Sequence, residues 1–433
     1  MRYLRSSRRT RYDHFWVRAS VLVALVALVA CAPPPRARPV LDAPDPRPLD
    51  RSRVYTIWLG GARVGTATET EVWSRSGVTL RRDEDLRFAR GEAIVALHTT
   101  ITIVADAALV PARVTWTELG TGARQAEATH DASGWHTTTG VALPAGAVPA
   151  ELVTLYVRRD GHFAGDVFLP ARGFVGGAGR VDAVAPGRVL ARLALAGGAR
   201  AEATIDLDAD GTPARVVDGE GVISLRASPA AAAAPFRAVD LVAATAIPIT
   251  GARTRTHLLL DGDLALPALP GQRAQVARPG DAGLVLVLDA ALPGALPPGV
   301  RGRDRSADIA ALVAAVQERI TPDLTATTAT AADATAATAG DCTTYALVYA
   351  ALATERGIPT RVVTGLRVDG ARLVRHRWAI SWTGRAWIAV DAAFGAAPAG
   401  GDLVGLAVHD ADDAGLVAGE SALTQVRAAA WAP

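Results

Sequence analysis

Residues 340–360, GDCTTYALVYAALATERGIPT, decide the fold of the C-terminal third of this chain. Their apolar run predicts a helix that continues to about Arg356, because Gly357 and Pro359 supply a C-cap and a stop. Cys342 therefore lies in the first helical turn. The partial positive charge of a helix N-terminus favours thiolate over thiol, so a cysteine placed there is a candidate nucleophile.

Two β stretches after this helix carry a candidate base and a candidate carboxylate. The first is HRWAI (residues 376–380), the second is WIAVD (residues 387–391), and WTGR between them predicts a hairpin turn. The two strands should pair antiparallel and bring His376 and Asp391 to neighbouring positions. A helix-start cysteine or a strand histidine that occurs alone is often structural. Their joint occurrence with the flanking motifs favours a catalytic triad of Cys342, His376 and Asp391.

Four motifs in this order resemble the transglutaminase-like superfamily. They are Gly-Asp-Cys at a helix start, Gly-Ile-Pro-Thr-Arg after it, His-x-Trp on one strand and Trp-x-x-Val-Asp on the next, all within about residues 301–400. The resemblance implies a papain-like core, in which a helix packs on an antiparallel sheet and a cysteine attacks an amide carbonyl to form a thioester. It also implies that Cys342 is the nucleophile, His376 the general base and then acid, and Asp391 the carboxylate that sets the imidazole tautomer.

The oxyanion needs a second donor besides the backbone N–H of Cys342, and the resemblance implies that a side chain or backbone group upstream of the nucleophile supplies it. Residues 325–340 hold no glutamine, tryptophan or tyrosine, which leaves Gln317 on the preceding predicted helix as the candidate. That helix is expected to have Ser306 as its cap. A degenerate oxyanion site would lower the rate without abolishing the fold.

Four further side chains near the triad are predicted to have structural roles. Trp378 and Trp387 are predicted to lie in the core or in the wall of the cleft. Arg361 and Arg377 are predicted to be exposed arginines on strands, and the alternative is contact with an anionic group of the substrate.

The N-terminus has the pattern of a bacterial lipoprotein signal peptide over residues 1–30. An arginine-rich start precedes the apolar run ASVLVALVALVA, which is too short to span a bilayer and which ends directly before Cys31. Cys31 is the predicted lipidation site, and the alternative is a plain secretory signal with an incidental cysteine. Residues 31–53, rich in proline and arginine, are predicted to form a stiff tether. The expected location is the cell envelope, facing the periplasm and anchored in the outer membrane.

Cysteine usage links this leader to the triad. The chain has two cysteines, so lipidation of Cys31 leaves Cys342 with no disulfide partner in its own chain. An unpaired thiol in an oxidising compartment needs a reason to be there, and catalysis supplies one.

The remaining sequence predicts an α+β protein in three parts. Residues 54–228 carry short alternating stretches separated by glycine turns, such as Gly60-Gly61, and predict an antiparallel sandwich-like domain or a large curled sheet. Residues 229–300 are predicted as a connecting β segment. Residues 301–433 are predicted as the transglutaminase-like domain with its papain-like core.

Composition limits the other function classes. The chain has 433 residues, of which 50% are hydrophobic and 20% charged, which indicates globular domains. The net charge is +2, but it becomes about −3 without the arginine-rich residues 1–30, and no basic stripe suggests nucleic acid. His130, His136 and His162 are scattered, so we expect no metal site, and a thioester mechanism requires no cofactor.

These patterns together predict an enzyme of the cell envelope. It would form a Cys342 thioester from a peptide or isopeptide amide and release the acyl group to water, as a hydrolase, or to an amine, as a transglutaminase-like acyltransferase. The expected partners are a peptide or protein amide and, through the N-terminal lipid, the membrane. The alternative is a catalytically decayed transglutaminase-fold lipoprotein with a binding or scaffolding role.

Overall fold

A computed structural model describes most of the chain from residue 51 onward. The described residues are 14–15, 51–120, 123–195, 199–209, 211–218, 221–251, 257–262, 264, 266–276, 283–326, 330–423 and 426–431. Strands account for 52% of the structure and helices for 19%. Cys31, nearly all of the predicted signal peptide and most of the predicted tether lie outside the described residues.

The N-terminal half is rich in strands. Its strands are β1 His14–Phe15, β2 Arg51–Leu59, β3 Ala62–Ser74, β4 Gly77–Arg90, β5 Ala93–Asp106, β6 Pro111–Leu119, β7 Ala123–Asp131, β8 Gly134–Thr137, β9 Val148–Pro149, β10 Phe163–Leu169, β11 Val175–Ala185, β12 Arg188–Leu195, β13 Ala199–Leu207, β14 Pro213–Asp218 and β15 Ile223–Ala227. Within the described residues they form one continuous sheet, in the order β8-β7-β6-β5-β4-β3-β2-β15-β14-β13-β12-β11-β10-β9, and β1 pairs with β13.

Strand β2 begins earlier than the sequence predicts. Residues 51–53, predicted as the end of the tether, already belong to this strand, because Arg53 is buried and pairs with Glu69 and Glu71 on β3. The turn between β2 and β3 lies at Gly60-Gly61, as predicted, and both glycines have positive φ angles, 57° and 78°.

Helix α1 (Val153–Asp160) packs on this first sheet between two apolar clusters. Val153 and Val157 contact the cluster formed by β10 to β14, and Leu155 contacts the cluster formed by β4 to β8. The helix begins after a 3-10 turn, Ala150–Leu152. Val417, from the C-terminal half, also belongs to the first of these clusters, so a residue from near the end of the chain completes the interior of the N-terminal half.

The remaining strands and helices build the C-terminal half. The strands are β16 Ile247–Thr250, β17 His257–Gly262, β18 Gln272–Val276, β19 Leu284–Leu288, β20 Thr321–Pro322, β21 Ala339–Gly340, β22 Thr360–Asp369, β23 Arg372–Trp382, β24 Trp387–Asp391, β25 Ala396–Ala399, β26 Leu403–His409 and β27 Val426–Trp431, and the helices are α2 Pro229–Ala233, α3 Leu241–Thr245, α4 Ser306–Arg319, α5 Ala331–Ala336, α6 Cys342–Glu355 and α7 Asp413–Ala422.

The second sheet has the order β18-β19-β17-β27-β16-β23-β22-β26, with β24 and β25 continuing from β23. Strands β16 to β19 come from the predicted connecting segment, 229–300. Strand β16 pairs with β23 and β27, β17 pairs with β27, and β19 and β18 follow outward from β17. Leu258 and Leu286 from that segment are fully buried beside Leu373. Burial of these leucines draws the segment into the C-terminal sheet.

Three observations concern the helices. Helix α4 begins at Ser306, with Arg305 at the N-cap position, so the predicted capping role of Ser306 is wrong: its hydroxyl donates instead to Asp304. None of the helices in the described ranges is long and apolar enough to span a membrane. Helix α6 packs on β22 and β23, which places its first turn beside the middle of β23.

Candidate active site

The first turn of α6 positions Cys342. The helix covers Cys342–Glu355 and is followed by Gly357 at a φ of +64°, which confirms the predicted helix and its end. Asp341 is the N-cap, and its Oδ1 accepts a hydrogen bond of 2.9 Å from the backbone N–H of Thr343. Position 340 has no room for a side chain, because a Cβ there would lie 2.1 Å from Thr344 Oγ1. Cys342 itself is half-buried as a free thiol.

The predicted hairpin is confirmed and places the other two residues. Strands β23 and β24 pair antiparallel from Trp382 opposite Trp387 to Ala379 opposite Val390. His376 and Asp391 lie just beyond that ladder, and His376 Nε2 is 2.7 Å from Asp391 Oδ2.

The imidazole of His376 also contacts the thiol. Because Nε2 bonds Asp391, Nδ1 is the nitrogen left to face Cys342, to whose side chain His376 is hydrogen-bonded. Burial, the largest single influence, lowers the pKa of His376, but hydrogen bonds to Asp391 and Cys342 and the charges of both groups outweigh it and raise the pKa to about 10. The imidazolium therefore persists at neutral pH beside the sulfur of Cys342.

Aromatic rings and burial keep this pair in a dry environment. His376 is stacked on Trp378 with 5.9 Å between ring centroids, and Phe394 meets it edge-on at 5.5 Å. Asp391 is only 3% exposed, and its Oδ1 has no hydrogen-bond partner among the described residues. The charge of the carboxylate is therefore directed mainly at the imidazole.

The thiol opens into a cavity of about 230 Å³ that is lined by side chains of both sheets. Cys342, His376 and Glu420 line it from the C-terminal half, and Phe88 and Leu97 line it from the first sheet. An ion pair also joins the two halves here.

That ion pair reaches the cap of the nucleophile helix. Arg90, at the end of β4, has its Nη1 3.0 Å from Asp341 Oδ2. Asp341 thus holds Thr343 with one carboxylate oxygen and the first sheet with the other.

Residues 300–392, which contain all three residues of the site, match the family model of the Transglutaminase-like superfamily. This segment is a transglutaminase-like core. A solved structure from Cytophaga hutchinsonii, described as a provisionally assigned cysteine protease, is similar over 39% of this chain and 76% of its own at 16% identity, with a TM-score of 0.22. That score is too low to bear on the fold. No curated protein matches the sequence. The family match supports a cysteine-dependent activity on amide bonds.

Arg377 is buried in the transglutaminase-like core, so its predicted exposure is wrong. The side chain is 4% exposed and donates to Thr364 at 2.9 Å, to Thr343 at 3.0 Å and to Glu420 at 3.0 Å. It connects β23 with β22, with the first turn of α6 and with α7. No sequence pattern indicates the pairing with Glu420, because Glu420 lies on a helix of its own 43 residues away.

His409 completes this network behind the thiol. Its Nδ1 donates to the backbone carbonyl of Asp410 at 2.8 Å, so its Nε2 accepts from the hydroxyl of Thr364 at 2.9 Å. Burial and then the charge of Arg377 lower the pKa of His409 to about 3. His409 is therefore a neutral acceptor, unlike His376.

The remaining side chains that the sequence analysis singled out lie either away from the thiol or in the wall of the cleft beside it. Trp378 is buried against His376, in line with its prediction as core or cleft wall, and Arg361 is exposed and pairs with Asp410. Gln317 packs against Gly395, the residue after Phe394. In the described part of the chain, no three His, Cys, Asp or Glu side chains are grouped as a metal site would require.

Proposed function

We propose that the transglutaminase-like core forms a thioester on Cys342 from a peptide or isopeptide amide. One observation carries the proposal: a helix-start thiol faces a buried imidazole that a carboxylate holds at 2.7 Å, and the thiol and the imidazole both line a cavity. This arrangement has the parts of nucleophilic catalysis, a nucleophile within reach of a base and a third group that orients the base.

The reaction balances with the residues of this site. The Cys342 thiolate attacks the amide carbon, and the backbone N–H of Cys342, which has no partner within its own helical turn, faces the developing oxyanion. The C–N bond then breaks, and the amine leaves with a proton from His376 Nδ1. Neutral His376 next takes a proton from water or from an incoming amine, which attacks the thioester and releases Cys342. Asp391 holds the imidazole in one orientation throughout.

Water and amine acceptors are distinguished by a single assay. The purified chain is incubated with a glutamine peptide and an excess of a small primary amine, and the products are separated by mass. Amide exchange identifies a transferase, acid product alone identifies a hydrolase, and neither product should form with Cys342→Ala. The chain contains no lysine, so its own side-chain amines do not compete as acceptors.

We further propose that the protein acts in the cell envelope, anchored through a lipid on Cys31. The proposal rests on the sequence of the leader. Replacement of Cys31 by serine should move the protein from the membrane fraction to the soluble fraction, and unchanged membrane partition would contradict the anchor.

A binding or scaffolding role on a decayed site is the second candidate. It is favoured by the position of Gln317, which packs on Gly395 and does not line the cavity beside Cys342. Alkylation at neutral pH separates the two candidates, because an activated thiolate reacts much faster than a structural thiol. A Cys342 rate no higher than that of free cysteine would support the decayed site.

A further inference from the structure

The cavity beside Cys342 has an apolar wall that comes from the first sheet. We define the apolar wall as five side chains of β2 to β5: Leu59, Val64, Leu86, Phe88 and Leu97. Leu86 and Leu97 are directly opposite each other in the β4–β5 ladder, and Phe88 is two residues further along the same face of β4. The wall is thus one continuous surface of adjacent strands.

The composition of this face changes toward one edge. Thr99 is opposite Glu118, and Glu118 is opposite Arg124, so the next row across β5, β6 and β7 is polar. Arg124 pairs with Glu118 at 3.4 Å. On the side of the first sheet, the cavity therefore has an apolar part and an ionic part.

We infer that the amide substrate carries an apolar group that lies on the apolar wall when Cys342 attacks the carbonyl. The inference rests on the proposed function and names the substrate class of that site. A volume of about 230 Å³ is below the roughly 300–1,000 Å³ of drug-sized ligand sites. The space suits an amide with one apolar side chain or a short alkyl group, rather than a segment of a folded protein surface.

Alkylation of Cys342 tests the wall without requiring turnover. The full chain is treated with iodoacetamide and, separately, with N-hexyl iodoacetamide, and the rate at Cys342 is measured by peptide mapping. Both reagents displace iodide from the same carbon, so free cysteine supplies their intrinsic rate ratio. We expect the hexyl reagent to be favoured at Cys342 by about tenfold over that ratio, because its chain leaves water on binding.

Two variants on one strand make the test specific. Leu97→Asn places a polar group in the wall and should bring the ratio close to that of free cysteine. Ile94→Asn is the matched control, because Ile94 is three residues away, on the opposite face of β5, and 50% exposed. This control should keep the preference of the parent. If Leu97→Asn lowers the melting temperature, the smaller change Leu97→Ala should still reduce the ratio.

The outcomes separate this inference from the proposed function. The inference about the apolar wall is wrong if iodoacetamide reacts fast but the hexyl reagent is not preferred, or if the preference survives both Leu97 variants. Either result leaves the thioester proposal standing. Alkylation by both reagents no faster than that of free cysteine overturns the proposed function itself.

Discussion

Two groups of buried ionisable side chains lie in the two halves of the molecule, and they differ in their partners. The arginine–glutamate cluster of the first sheet consists of Arg53, Glu69, Glu71, Arg82 and Glu84. Its pairs are short, with 3.1 Å between Arg53 and Glu69 and 2.9 Å between Arg82 and Glu84. Every acid in it faces a guanidinium, which keeps its proton at any physiological pH.

In the transglutaminase-like core the acid faces an imidazole instead. Asp391 holds His376, which can give up and regain a proton, and the pair lies beside a thiol and a cavity. Burial of charge alone therefore does not indicate a reactive site. A reactive site is indicated when one partner of the buried pair can transfer a proton and the pair lies next to a nucleophile and a cavity.

The largest effect should follow from removal of the base. His376→Ala leaves Cys342 without a proton carrier, and turnover in the amine-transfer assay should fall on the order of 10⁴-fold or more, close to Cys342→Ala. Circular dichroism should show that both variants are folded. A His376→Ala variant with a tenth of the parental activity would mean that another group acts as the base.

The second-largest effect should be a loss of stability after a substitution in the arginine–glutamate cluster. Glu71 is 1% exposed and pairs with Arg53 and Arg158, so Glu71→Gln should lower the free energy of unfolding at pH 7 by about 3–5 kcal/mol. The control Asp85→Asn removes a 70% exposed partner of His98 and should cost at most about 1 kcal/mol. Urea unfolding measures both.

The pH dependence of the Glu71 effect has a definite sign. Burial alone would raise the pKa of Glu71, but hydrogen bonds and charges from Arg158, Trp73 and Arg53 outweigh it and lower the pKa. The native state therefore gains stability from the ionised carboxylate above the ordinary glutamate pKa and loses it as pH falls through the lowered value. The difference between parent and Glu71→Gln should shrink in acid, and a difference that grows in acid would contradict the pairing.

The smallest of the three effects should come from Asp391→Asn. The imidazole remains but loses its orienting carboxylate, and kcat/KM should fall on the order of 10²-fold. The raised pKa keeps His376 protonated in the native state until pH approaches about 10, so the activity of the parent should decline only near that pH. Without the carboxylate, the decline should move to lower pH. An unchanged profile would show that Asp391 does not set the protonation of His376.

The parts of the site that the sequence predicts correctly are local. The helix of Cys342 follows from its glycine and proline stop signals, and the pairing of β23 with β24 follows from a tight turn between two short strands. These features depend on residues at most 15 positions apart, so their patterns are visible in the sequence.

The parts that the sequence does not predict depend on distant segments. Arg377 is buried because β23 is covered on both sides, and one of its partners, Glu420, comes from a later helix. The apolar wall comes from strands that precede Cys342 by more than two hundred residues. Periodicity shows that β4 and β5 have an apolar face, but it does not show which surface meets that face.

The division of the cavity between two halves of the chain has an evolutionary consequence. The residues proposed to break the amide lie within one segment of about a hundred positions, whereas the wall proposed to choose among amides is encoded far upstream. Mutation and recombination can then alter the wall while the triad is conserved by selection. Proteins that inherit the same core can therefore diverge in substrate specificity, because each preceding domain admits a different amide to the same cysteine.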